Sequence, residues 1–99
     1  MAHFNLGNTY QDMKNLPLAI TCFQEVLLLE TGHADALFNL GVAFQDYAAQ
    51  SPQAVVENLK SALDCYEKVI DLQTEDMGED AKKASAHIRK QLSILDAKN

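Results

Sequence analysis

Apolar residues return every three or four places along most of this chain, with no period-two run of any length, which predicts helices and no sheet. Leu6, Gly7 and Tyr10 share one face of a first helix over about residues 2–14, and Ala19, Phe23, Val26 and Leu27 share one face of a second over about 17–30. Leu37, Leu40 and Phe44 stripe a third. Ser51 and Pro52 open a fourth, in which Val55, Leu59, Ala62, Tyr66 and Val69 continue a single stripe. Ala81, Ala84, Ile88, Leu92 and Leu95 form a fifth, with Ile94 off its line. The turns fit this division. Asn15 and Pro17 stand at the second start, Gly32 follows the second stripe where a C-terminal cap is wanted, and Thr74 to Gly78 form a turn whose acids suit the fifth N-terminus. The expected class is all-α, with five helices.

The stripes also repeat. Phe4-Asn5-Leu6-Gly7 returns as Phe38-Asn39-Leu40-Gly41, an offset of 34 residues, and Tyr10 matches Phe44. Further on the offset is 43: Ala19, Cys22, Phe23 and Val26 correspond to Ala62, Cys65, Tyr66 and Val69, so the second copy carries nine extra residues. The period is unbroken through them, so they are expected to extend helices, with Tyr47 and Ala48 lengthening the third to meet Val55 and Leu59. Gly7 and Gly41 each cost about 1 kcal/mol of helix propensity at mid-helix. The compensation expected is close approach of backbones, with Ala19 and Ala62 opposite.

Leu6-Gly7-x2-Tyr10 with Ala19-x3-Phe23, and Leu40-Gly41-x2-Phe44 with Ala62-x3-Tyr66, resemble the tetratricopeptide-repeat family over about residues 2–74. The sequence departs from the family pattern at His3, which takes a slot usually held by Trp or another large apolar group. Thr31 and Thr74 replace the usual terminal Pro, and the second unit has its insertion. The resemblance implies a helix-turn-helix solenoid, a segment of right-handed superhelix. One domain over residues 1–99 would hold a first repeat at about 2–33, a second at about 34–75, and a closing helix at about 77–97 that keeps the open end soluble.

Charge narrows the partners. Net charge is −6, and residues 1–80 carry 13 acids and 3 bases, whereas 81–99 carry 1 acid and 5 bases (Lys82, Lys83, Arg89, Lys90 and Lys98). An acidic body repels phosphate backbones, so no nucleic acid is expected. The longest aliphatic run is Val26 to Leu29, too short for a membrane span, and Met1 leads into a helical pattern without a secretory segment. A soluble cytoplasmic protein is expected. Cys22 and Cys65 occupy equivalent slots and show no metal spacing, so they read as free structural thiols. His3, His33 and His87 are scattered, and Glu75, Asp76, Glu79 and Asp80 lack the alternation of a calcium loop. Nothing assembles a nucleophile, a base and an oxyanion site. The expectation is a non-enzyme with no cofactor and no metal.

The resemblance further implies that the first helices of the repeats line a concave groove binding a protein or peptide. Its slots here are Phe4, Asn5, Asn8 and Gln11, then Asp35, Phe38, Asn39, Val42 and Gln45. Phe4 and Phe38 read as exposed apolar anchors, with packing against an adjoining helix as the alternative; Asn5 and Asn39 could bond a peptide backbone. One subfamily clamps acidic tails with Asn and basic residues. Asn8 and Asn39 match its Asn slots and Lys82 a third position, but Phe4 stands in its first basic slot. Asp12, Asp35 and Asp46 give the groove a negative field, so the expected partner is an extended or helical segment with apolar anchors and basic flanks. The alternative is a structural scaffold fragment of a larger repeat protein that self-assembles into a homo-oligomer, with acidic body and basic tail favouring head-to-tail contact.

Overall fold

The computed structural model describes residues 2–97. Met1, Lys98 and Asn99 lie outside them, as do the side chains of Ala2 and Glu75. Five α-helices stand among the described residues: α1 (Ala2–Asp12), α2 (Leu16–Leu29), α3 (Ala34–Gln50), α4 (Val55–Asp71) and α5 (Glu75–Ala97), with a 3-10 turn at Pro52–Ala54 and no strand. Each helix packs against the next in chain order, while α1 with α3, and α3 with α5, meet more lightly. That pattern puts α1, α3 and α5 on one side and α2 and α4 on the other. The expected all-α helical repeat is the fold.

Local chemistry explains where the helices stop, and corrects the sequence reading at several ends. The chain reverses between α1 and α2 through Lys14, at φ 63°, so α1 ends at Asp12 and not near residue 14. Gln73, at φ 57°, does the same between α4 and α5. No described glycine has positive φ, so Gly32 is not the left-handed cap expected of it. Instead the Glu30 N–H bonds back to the Val26 carbonyl, and His33 starts α3 by accepting the Ala36 N–H on Nδ1 at 3.0 Å. Gly78 was expected in a turn but lies inside α5, which begins at Glu75. Pro52 opens only the 3-10 turn, and α4 follows it. α3 and α4 are 17 residues each against 11 and 14 for α1 and α2, so they extend beyond the first hairpin.

Two apolar clusters hold the helices together. In one, Leu16, Ala19, Ile20 and Phe23 of α2 meet Leu40 and Ala43 of α3 and Cys65 of α4. In the other, Leu37 and Ala48 of α3 and Leu59, Ala62, Tyr66 and Val69 of α4 meet Ala81 and Ile88 of α5. Phe23 and Tyr66, equivalent in the two units, are fully buried. They account for the mid-helix glycines. A Cβ on Gly7 would lie 2.7 Å from the Phe23 ring, and one on Gly41 2.9 Å from Tyr66, so each glycine seats an aromatic ring. Leu6 also departs from expectation. It is 44% exposed while its equivalent Leu40 is 5% exposed, because α2 covers Leu40 and no described helix covers Leu6.

Candidate partner-binding face

The groove residues expected from sequence fall into three groups. Asn8, Gln11 and Asn39 come together between α1 and α3: Asn39 Nδ2 donates to Asn8 Oδ1 at 2.8 Å, and Gln11 Nε2 donates to the Asn39 carbonyl at 3.4 Å. Asn5 and Asp35 are exposed, and Asp35 sits in the first turn of α3, where a carboxylate complements the helix dipole. Phe4, Phe38, Val42 and Gln45 are half-buried and turned toward the second helices.

The two phenylalanines are not the exposed anchors anticipated. Phe4 lies 6.0 Å between ring centroids from Phe23 and 5.0 Å from His33. Phe38 meets Tyr66 edge-on at 5.5 Å. Phe4 and Phe38 are equivalent, and so are Phe23 and Tyr66, so one aromatic contact is made twice. Its cause is the glycine, which brings the buried ring close enough for the outer phenylalanine to rest on it. Val42 packs against the second cluster. Gln45 accepts a hydrogen bond from the Tyr66 hydroxyl. Burial raises the pKa of that hydroxyl, with Cys65 and Asp46 adding to the shift, so it is held protonated as a donor.

A third wall escaped the sequence reading. Between α3 and α5 lies a depression of about 290 Å³, with Gln45, Asp46, Ala49, His87 and Gln91 around a floor that includes Ala48, Val55 and Leu59. His87, one of the scattered histidines, is exposed and borders this depression. The signal was present in the spacing, since Ala84, His87 and Gln91 follow one helical line beside the buried stripe. Lys82, matched to a basic slot of the tail-clamping subfamily, is exposed and lies 3.9 Å from Glu79.

The remaining chemistry is that of structural groups. Burial pushes the Cys65 thiol from 9.0 up to about 12, with Asp64 adding and Lys68 opposing. Cys22 is also raised, by burial first and Glu25 second. Both thiols are free and buried. Among the described residues no three His, Cys, Asp or Glu side chains group as a metal site, and no helix is long and apolar enough to cross a membrane.

Helical hairpins stacked in chain order, with a row of polar groups across the first helices, define a helical-repeat protein. The family model described as Tetratricopeptide repeat matches residues 1–30, the segment of α1 and α2. With the helical structure, that match supports the likeness to the tetratricopeptide-repeat family, whose members generally mediate protein–protein interaction. Among curated proteins none matches the chain.

Proposed function

We propose that this protein is a non-catalytic module that holds a peptide or partner segment along the side lined by α1, α3 and α5. The observation that carries the reading is a row of amide side chains across those helices: Asn8 and Gln11 on α1, Asn39 and Gln45 on α3, and Gln91 on α5. Amides both donate and accept, so a row of them suits the alternating N–H and C=O groups of an extended backbone. Asn5 beside the row adds another such group. The apolar floor below His87 and Gln91 offers room for a ligand side chain, which the packed Phe4 and Phe38 do not. Asp35 and Asp46 favour basic flanks on the ligand and penalise acidic ones.

Fluorescence anisotropy with labelled peptides of matched length tests this reading. A peptide with aliphatic anchors and Lys or Arg flanks should bind, and an acidic tail should not. Asn39→Ala and Gln91→Ala should each weaken binding about fivefold, the loss of one hydrogen bond of about 1 kcal/mol, with helical circular dichroism retained. Tighter binding of the acidic tail, or equal binding by both variants and wild type, would show that the ligand lies elsewhere. Phe38→Ala is a poor probe, because Phe38 packs on Tyr66 and its removal also destabilises the fold.

A further inference from the structure

The two units differ most between their paired helices, where the second carries its nine extra residues. Phe44 matches Tyr10 and Ala62 matches Ala19, so residues 45–61 stand where the first unit has only residues 11–18. Gln45, Asp46, Ala48, Ala49, Val55 and Leu59 all fall in that stretch. They make one wall and the floor of the depression of about 290 Å³ that α5 closes with His87 and Gln91. The first unit has no counterpart to this wall, because α1 ends at Asp12 and the chain reverses at Lys14. The added residues thus build a pocket onto the repeat face.

We infer that this depression is a specificity pocket for one basic side chain, lysine or arginine, of the partner segment, and that Asp46 selects it. Given the proposed partner-binding role of this face, on which the assignment rests, the basic residue takes a fixed position in the ligand. Asp46 decides the occupant. It is half-buried, and among the described residues its carboxylate takes part in no ion pair and no side-chain hydrogen bond. Its charge reaches inward, since it helps to raise the pKa of the Tyr66 hydroxyl that donates to Gln45. An aliphatic side chain laid on the floor would strip water from this carboxylate and return nothing, and an acidic one would be repelled.

A cation on an alkyl stem meets both demands. Its methylenes cover Ala48, Ala49, Val55 and Leu59, while its head group stays at the rim and donates to Asp46, with the Gln91 carboxamide as a second acceptor. Lys83 and Lys90 stand on either side of His87 along α5 but do not line the depression. Selection is therefore confined to the side chain seated on the floor.

Heteronuclear NMR of the full chain, titrated with capped Ala-Lys-Ala or Ala-Arg-Ala, should show amide shifts gathered at Asp46, Ala49, Val55, His87 and Gln91. The same tripeptide with norleucine, which keeps the stem and lacks the charge, or with glutamate should bind about tenfold more weakly, the loss of one hydrogen bond to a charged group. Asp46→Asn should abolish the difference between lysine and norleucine with circular dichroism unchanged, because Asp46 holds no partner in the fold. Ala49→Leu, at an exposed place on α3, fills the mouth of the pocket and should weaken lysine and arginine alike. Asp71→Asn takes the same charge from the far end of α4 and should change nothing. No shift at the depression, norleucine bound as tightly as lysine, a preference for glutamate, or an Asp46→Asn protein that still tells lysine from norleucine would overturn the inference. Longer labelled peptides separate the pocket from the wider reading. If they bind through the amide row with no gain from a lysine at any one position, the pocket assignment fails and the reading stands. If the tripeptides select lysine at the depression while longer peptides do not bind, the extended-ligand reading fails alone.

Discussion

Gly41 decides by absence how closely α3 and α4 approach. An alanine there gains about 1 kcal/mol of helix propensity but drives a methyl into the Tyr66 ring, 2.9 Å from its nearest atom, and overpacking of this kind costs about 1–3 kcal/mol. Gly41→Ala should therefore destabilise the protein. Gly78→Ala should stabilise it by up to about 1 kcal/mol, since its Cβ would meet only Thr74 Oγ1 at 3.9 Å. Urea midpoints at equal slope would check both. Cys65 makes a second residue-scale prediction. Its thiol titrates near 9.0 when exposed and at about 12 when folded, so the native state keeps a proton that the unfolded chain loses. The stabilisation is fully present below about pH 9, and rising pH removes it progressively until about pH 12. Urea midpoints from about pH 8 to about pH 11 should fall, and fall less steeply in Cys65→Ala. The thiol positions could be read from the repeat; their depth could not, because burial depends on helices distant in sequence.

At the scale of elements, α5 is the helix whose role is most open to test. Its buried line of Ala81, Ser85 and Ile88 covers α4, with Leu92 and Leu95 partly buried beyond. Ile88 is fully buried, so Ile88→Ala should cost about 2–5 kcal/mol. Ser85 Oγ is buried without a hydrogen-bond partner, so Ser85→Ala removes an unsatisfied polar atom and should be neutral or stabilising by about 1 kcal/mol. Thermal melts of the two variants should move in opposite directions or leave Ser85→Ala unmoved. Removal of α5 uncovers the second cluster, and the shortened chain should melt lower and aggregate on light scattering. The elements themselves were legible, because each stripe has a 3.6-residue period and strong turn residues flank it. Their ends were less so. Lys14 and Gln73 take left-handed backbone, whereas Gly32, where a cap was expected, does not, a choice made by the path of each turn.

For the molecule as a whole, burial is uneven. Tyr66, Val69, Ser85 and Ile88, four of the six largest fully buried side chains, belong to α4 and α5, while Leu6, Leu18, Leu28 and Leu29 of the first hairpin are exposed. A repeat array opens where a unit has fewest neighbours. Hydrogen exchange should therefore be fastest in α1, next in α2, and slowest in the middle of α3 and α4. Uniform protection in all five helices would mean a single cooperative unit.

The sequence by itself determined the all-α class, the two related units and their offsets, the closing stripe and the family resemblance, because all of these rest on local period and on residue types at fixed spacing. It also specified which side chains lie on the first helices, and hence most of the candidate row. Tertiary structure decided how those side chains are used. Phe4 and Phe38 pack inward because glycine lets Phe23 and Tyr66 come under them. Asn39 reaches Asn8 because α3 lies beside α1, and His87 and Gln91 join the face because α5 lies beside α3. Leu6 and Leu40 are the same residue at the same repeat position, one exposed and the other buried. Periodicity assigns both to an apolar face, but only the arrangement of helices determines whether a neighbour covers it.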